Sequence, residues 1–412
     1  MIIAAAVMLK LPVEAATQPL SNQFPNPLEL TTPDPLLPGG LTKPLSRAEQ
    51  QTLRTALDQL NEQAIAKLQA GDTIGAFDLW NRELRLRRAL GLLEETQALG
   101  RVGDQAWRRN QSTELRAITN RLRAIQTQLQ TPPKNQADSA KSKQISQQDR
   151  AQILPALGIA YQQVRSPGLA LGVYQLLLSE ARARQDRTQE TDLLNTIGQL
   201  HLSWFDYPNA IATYTELLNL SRSASADISS RSRNDPESVL TNLIQLAYTY
   251  EQANQPAQSA TYQQQVIQVY QQSQPQAIPA LKIRLGDNYA ASNQLDLAEK
   301  SYLEAFQLAQ PLLQLAYASD ALQKLGVLYQ KNNRLDAALE VYTYLASVQQ
   351  QAYNTYGVMN AYDRIGQIQI QRKAYPQATA AFQQALEVAK QLNYRTDYFT
   401  EQIQKIAAQS AR

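Results

Sequence analysis

Residues 325–342 have the sequence LGVLYQKNNRLDAALEVY, which contains a pattern that recurs along the chain. A large apolar residue and a glycine (Leu325, Gly326) are followed by Tyr329, a polar turn, and then Ala338 and Tyr342. Apolar periodicity on both sides of a turn predicts two amphipathic helices folded back on each other. Five further copies keep most of this spacing, and their first residues are Leu157, Ile197, Leu246, Leu285 and Ile365. The pattern therefore predicts an array of helix hairpins over residues 148–394.

The period of the array is about 40 residues, because the first residues of successive copies lie 40, 49, 39, 40 and 40 positions apart. The longest interval places a polar loop insertion at 221–237. Residues 46–130 hold two weaker copies, beginning at a Ser46 capping box, and the polar segment 131–147 links them to the six that follow. An amphipathic stretch at 395–412 predicts a helix that covers the last open face of the array.

This pattern resembles the tetratricopeptide repeat (TPR), whose two-helix unit has the same Leu-Gly-x-x-Tyr and Ala-x-x-x-aromatic spacing. The period exceeds that family's usual length of about 34 residues, as in its long-helix variants. The resemblance implies an all-α fold, a right-handed superhelical array of antiparallel helix hairpins (a TPR-like α-solenoid). It also implies a non-enzymatic scaffold that holds a partner segment on its concave face.

The composition excludes several classes of site. The chain has no cysteine and one histidine, so thiolate metal sites, cysteine nucleophiles and sites with two imidazoles are ruled out. The net charge of +3 gives no indication of nucleic-acid binding. We therefore expect no catalytic, cofactor-binding or metal-binding residues, and we interpret His201 as a packed helix residue in a position where other copies have tyrosine.

The N-terminal region contains two segments outside the repeats. Residues 1–15 combine a short apolar run, a proline and small residues, which is typical of a secretory signal and favours an exported, periplasmic protein. Lys10 interrupts the run and no basic residue precedes it, so a plain tail on a cytoplasmic protein is the alternative. The Pro-rich segment 16–45 predicts a disordered linker. No segment is a candidate transmembrane helix.

A row of basic residues recurs at the repeat period, one position before the apolar-Gly pair. Equivalent positions in a solenoid lie along one line, so these side chains are candidates for contacting a protein or peptide partner that carries acidic groups. Ion pairs with Asp320 and Asp363 are the alternative. The candidate partner-binding residues are Arg284, Lys324 and Arg364 of the row, the equivalent Thr196, and the neighbouring Tyr248 and Asp287.

An arginine cluster precedes the polar linker. Ten arginines and five acidic residues lie between Arg82 and Arg123. Guanidinium groups suit carboxylate and phosphate ligands, but a solvated face with helix ion pairs, such as Glu83 to Arg87, is the simpler interpretation of such a cluster. The candidate basic patch consists of Arg85, Arg88, Arg108, Arg109 and Arg116.

The sequence thus favours a protein-interaction scaffold. Two alternatives remain open. The style of the sequence is similar to that of exported cyanobacterial-type TPR proteins, which suggests an assembly factor for a photosystem-type membrane complex. A self-associating regulatory array, and hence a homo-oligomer, is the other.

Overall fold

The computed structural model describes residues 26–29, 33–40, 44–130, 145–226 and 236–410. Within these ranges the chain forms 17 α-helices and no β-strand, which confirms the all-α prediction. The helices fall into two compact units, Met1–Gln189 and Glu190–Arg412. The predicted signal at 1–15, residues 131–144 of the predicted linker and residues 227–235 of the predicted insertion lie outside the described residues.

The first unit contains six helices. The Ser46 hydroxyl and the Glu49 carboxylate cap the first of them reciprocally, as the sequence predicts. The third and fifth helices pack on each other, so the chain after residue 145 continues the first compact unit. The helices are α1 (Arg47–Gln69), α2 (Thr73–Arg87), α3 (Leu92–Arg108), α4 (Ser112–Gln130), α5 (Gln147–Gln163) and α6 (Pro167–Ala183).

The described part of the Pro-rich segment differs from the disordered linker that the sequence predicts. Leu28 and Leu37 are buried, and Leu37 packs with leucines of α1 and α2. Arg82 Nε and Nη2 donate to the two carboxylate oxygens of Asp34 at 2.7 and 2.9 Å. High proline content prevents a helix here, but it does not prevent isolated leucines from packing against an existing hairpin.

The second unit contains eleven helices, and its boundary falls in the first turn of α7. The first six residues of the predicted 221–237 loop continue α8 as helix. The helices are α7 (Arg187–Ser203), α8 (Tyr207–Ala226), α9 (Pro236–Gln252), α10 (Pro256–Ser273), α11 (Ile278–Ala291), α12 (Leu295–Ala309), α13 (Leu315–Lys331), α14 (Leu335–Gln351), α15 (Thr355–Gln371), α16 (Tyr375–Leu392) and α17 (Thr396–Ser410).

Five hairpins close where a glycine faces an aromatic ring. A Cβ atom placed on Gly326 would lie 2.7 Å from Cζ of Tyr342, which is inside van der Waals contact. The same arrangement joins four further glycine–aromatic pairs at the same separation in sequence: Gly158–Tyr174, Gly198–Tyr214, Gly286–Tyr302 and Gly366–Phe382. The hairpins are therefore TPR-like, as the sequence predicts. Beyond them, α17 packs on α16 and buries Phe399 and Ile406.

The turns between helices place one residue in the left-handed region. After the first helix of a hairpin this residue is often asparagine, as at Asn333 (φ 57°), which tolerates that conformation. The residues that take this conformation after a second helix include the bulky Leu313 (φ 54°) and Tyr353 (φ 53°). Both side chains are also highly exposed, at 81% and 94%. Bulky residues therefore occupy a conformation that costs about 1–2 kcal/mol and gain no burial within the described structure.

Replacing Tyr353 by glycine is expected to stabilise the second unit by up to about 1 kcal/mol, because glycine adopts positive φ without a steric penalty. Urea unfolding followed by circular dichroism measures the change. The matched variant Asn333→Gly should have a smaller effect, since asparagine is less strained there. A loss of stability in Tyr353→Gly would show that the tyrosine packs within the fold.

Candidate partner-binding surface

Two of the three basic residues of the row are engaged in ion pairs. Arg284 Nη2 lies 2.8 Å from Glu251 Oε2, and Lys324 Nζ lies 2.9 Å from Asp287 Oδ1. Each pair joins the first helices of consecutive hairpins, α9 to α11 and α11 to α13. Ion pairing was foreseen as an alternative, but with Asp320 and Asp363 as the partners. Asp363 pairs with Arg395 of α17 at 2.9 Å.

The remaining candidates of the row differ from one another. Arg364 is exposed, and its nearest polar partner among the described residues is Gln367 Oε1 at 3.5 Å. The Thr196 hydroxyl donates to the carbonyl oxygen of Asp192, one turn earlier in its own helix, at 2.9 Å. Tyr248 on α9 is 41% exposed. The structure thus links Lys324 and Asp287 directly, and Arg364 is the cation of the row without an ion pair among the described residues.

Lys324 and Asp287 line a cavity of about 540 Å³ between α11, α12 and α13, which we call the Lys324 cavity. Asp287 is its central group: its carboxylate accepts a hydrogen bond from the Tyr302 hydroxyl at 2.8 Å and pairs with Lys324. Burial, followed by the adjacent Asp287 carboxylate, raises the pKa of Tyr302, so the phenol stays a donor. The other polar lining residues are Asn293, Asp320, Gln323, Lys331 and Asn332.

Asp320 has no hydrogen bond or ion pair among the described residues. Asp320 is an exposed residue, yet partial desolvation of its carboxyl group raises the pKa of Asp320. The Asp287 carboxylate adds to this effect and Lys324 opposes it. Because Lys324 is held by Asp287, Asp320 is the carboxylate of this cavity that lacks a direct partner.

A second cavity of about 400 Å³, which we call the Ser319 pocket, adjoins the first and shares Asp320 and Gln323 with it. Ser319 and Gln349 of this pocket are buried, and the Ser319 Oγ atom has no hydrogen-bond partner within the described structure. A buried hydroxyl without a partner is costly. The remaining lining residues are Leu315, Ala316, Ala352 and Asn354.

Exposed apolar side chains are adjacent in sequence to the lining of the Ser319 pocket. Tyr317 follows Ala316, and Tyr353 separates Ala352 from Asn354. Tyr317 and Tyr356 are 41% and 50% exposed, and the Tyr356 ring lies 5.9 Å from that of Tyr394. Exposed aromatic groups near a polar cavity are typical of protein-interaction surfaces.

Two of the five arginines of the candidate basic patch form ion pairs within the first unit. Arg85 Nη1 donates to the Pro27 carbonyl oxygen at 2.7 Å, Arg88 pairs with the buried Glu95 at 3.1 Å, and Arg108 pairs with Asp104 at 2.6 Å. Desolvation by burial lowers the pKa values of Arg85 and Arg88. Arg109 and Arg116 are the exposed members for which the described structure shows no ion pair. The anion-binding patch stays a prediction from the sequence.

His201 is half-buried, and its Nδ1 atom lies 2.9 Å from Asp206 Oδ2. A hydrogen bond from Asn209, together with the bond to His201, lowers the pKa of Asp206. No group of three or more histidine, aspartate or glutamate residues in the described ranges could hold a metal ion. No helix in those ranges is both long and apolar enough to cross a bilayer.

Sequence reasoning missed most of the cavity. The sequence indicated Asp320 only as a partner for an ion pair. It gave no functional role to Tyr302, Ser319 or Gln349. The 40-residue spacing of Leu313 and Tyr353 could have revealed the exposed turns, because apolar residues recur where a polar turn is expected.

Known proteins resemble the chain in structure only. No family model matches the sequence, and no curated protein matches it. Solved structures that match include BtubC from P. vanneervenii, with 17% identity over 54% of this chain and 91% of the other and a TM-score of 0.37.

Two further solved structures match longer parts of the chain. Aspartyl phosphate phosphatase F from Bacillus subtilis has 13% identity to this chain. The match covers 75% of this chain and 82% of the phosphatase, with a TM-score of 0.38. A signal transduction ATPase with a tetratricopeptide repeat sensor from Pyrococcus horikoshii has 13% identity to this chain. The match covers 81% of this chain and 54% of that protein, with a TM-score of 0.37. With TM-scores below 0.5, these likenesses do not bear on ligand or partner.

Proposed function

We propose that this chain is a non-enzymatic scaffold whose second unit holds a segment of a partner protein on the first helices of its hairpins. The observation that carries the proposal is the pair of adjoining cavities along α13, which share Asp320 and Gln323. A polar groove with exposed aromatic residues beside it suits an extended or helical segment.

The acidic partner predicted from the basic row has less support than a partner of other charge. Glu251 and Asp287 already neutralise Arg284 and Lys324, so an acidic ligand would have to displace two ion pairs. Arg364 is the cation of that row for which the described residues provide no ion pair. Export to the periplasm and a role in assembling a membrane complex stay proposals from the sequence.

Self-association is a second candidate function, favoured by the exposed turns. Leu313 and Tyr353 lie 40 residues apart in equivalent turns, and both are highly exposed. Apolar side chains at repeated positions along one edge suit contact with another copy of the chain. Chemical cross-linking of the purified chain distinguishes this candidate from capture of a different protein.

A photo-crosslinking amino acid at Gln323 tests the scaffold. Gln323 is exposed and lines both cavities, so the substitution removes none of the hydrogen bonds described above. In cells that produce the variant, we expect the photo-crosslinker at position 323 to form one discrete adduct on irradiation. Mass spectrometry then identifies the partner in that adduct. The further substitution Ala290→Trp, which narrows the Lys324 cavity, should decrease that adduct.

The control places the same photo-crosslinker at Gln384 on α16, an exposed residue that lines neither cavity. Adducts of equal yield and identity at both positions, or no adduct at Gln323, would contradict the proposed surface. An adduct formed only between copies of the chain would favour self-association.

A further inference from the structure

The basic row suggests a positively charged surface, but the charge next to the Ser319 pocket is the negative charge of Asp320. Lys324 is paired with Asp287 at 2.9 Å, whereas Asp320 has no direct partner among the described residues. Lys331, the other cation of the Lys324 cavity, follows Asp320 by eleven residues and hence lies about 16 Å farther along α13. Among the residues that line the Ser319 pocket, Asp320 is the charged one. The pocket therefore presents a single negative charge.

The Ser319 pocket also contains an unused hydrogen-bonding group. Ser319 is 6% exposed, and its Oγ atom has no partner in the described structure. A serine in a helix commonly donates to the carbonyl oxygen one turn earlier, as Thr196 does, but Ser319 does not. A buried hydroxyl that lines a cavity and lacks a partner is available to accept a hydrogen bond from an N–H group that enters it.

We propose that the junction of the Lys324 cavity and the Ser319 pocket binds a lysine or arginine side chain of the partner segment, with the Asp320 carboxylate as its counter-ion. This inference rests on the proposed scaffold function and specifies the chemistry of the partner. The ammonium or guanidinium group pairs with Asp320, and an N–H group donates to Ser319 Oγ.

Three features of the surroundings suit a cationic side chain. Desolvation of the Asp320 carboxyl group raises its pKa, and an incoming positive charge relieves the cost of ionising it. Leu315 and the alanines of the pocket provide apolar contact for the aliphatic part of a long basic side chain. Tyr353 follows the lining residue Ala352 in sequence, and its exposed aromatic ring is of the type that forms cation–π contacts.

The test uses a random dodecapeptide library displayed on phage and selected on the purified full-length chain. We expect selected peptides to be enriched in arginine and lysine. The best of them, made synthetically with a fluorescent label, should bind Asp320→Asn at least about tenfold more weakly than the unmodified chain, since a charge-assisted hydrogen bond is lost. Glu340→Gln, an exposed mid-helix change on α14 outside both cavities, should leave the affinity unchanged.

The other outcomes each contradict a defined statement. Enrichment of acidic peptides, or basic peptides whose affinity Asp320→Asn does not change, overturns the cation site and leaves the scaffold function standing. If no peptide is enriched over the unselected library and Gln323 also forms no adduct, the scaffold function fails together with the inference. Circular dichroism of Asp320→Asn should match that of the unmodified chain, because Asp320 supports no described contact.

Discussion

Gly326→Leu is expected to destabilise the second unit by about 3 kcal/mol, at the upper end of the range for overpacked cores. A single Cβ atom at Gly326 would already lie 2.7 Å from the buried Tyr342 ring, and leucine adds three more carbon atoms. The ring cannot move aside without losing its place between α13 and α14. Because repeat arrays unfold in part, hydrogen exchange should show the loss of protection mainly in these two helices.

The matched control is Gly172→Leu on α6, where a Cβ atom would meet nothing within 4 Å. Leucine has a higher helix propensity than glycine, so this exchange should stabilise the first unit by about 0.5–1 kcal/mol. Opposite signs for two glycine-to-leucine changes would show that packing against the aromatic ring, and not helix propensity, determines the effect. If Gly326→Leu were neutral, the glycine–aromatic contact would not be what closes the hairpins.

The hairpins were predictable because their pattern is local and repeated. The Leu325-Gly326 pair, Tyr329, Ala338 and Tyr342 fix which faces of two sequential helices meet, and the structure places the ring of Tyr342 against Gly326. The capping box at Ser46 is likewise a contact between residues three apart. Such features depend on neighbours in sequence, which a single chain displays directly.

The ion pairs and cavities were not predictable to the same extent, because they depend on the offset between helices 30 to 40 residues apart. Lys324 has Asp320 one turn away on its own helix, but it pairs with Asp287 of the preceding hairpin. Asp363 is adjacent to Arg364 and pairs with Arg395. Small rotations of one helix decide these choices, and the spacing of the repeats does not encode them.

Arg87→Met is expected to destabilise the first unit by about 3–5 kcal/mol, because it leaves a buried carboxylate with too little compensation. Arg87 is buried and pairs with three carboxylates: Asp58 at 2.6 Å, Glu83 at 2.8 Å and Glu94 at 2.9 Å. The Glu83 side chain is 0% exposed, and Arg101 would remain as its only partner among the described residues. Thermal unfolding of the purified chain measures the loss.

Two matched variants separate the buried charge from the loss of an arginine as such. Arg108→Met removes a side chain that is 59% exposed and pairs with Asp104 at 2.6 Å, so we expect a change of at most about 0.5 kcal/mol. Adding Glu83→Gln to Arg87→Met should recover part of the stability, because the uncompensated charge disappears. The single variant Glu83→Gln has its own effect on the free energy of unfolding. If adding Glu83→Gln to Arg87→Met lowers the stability by that same amount, the two residues act independently. The arginines of α2 would then stabilise the unit through packing of their aliphatic carbons, and not through the charges they neutralise.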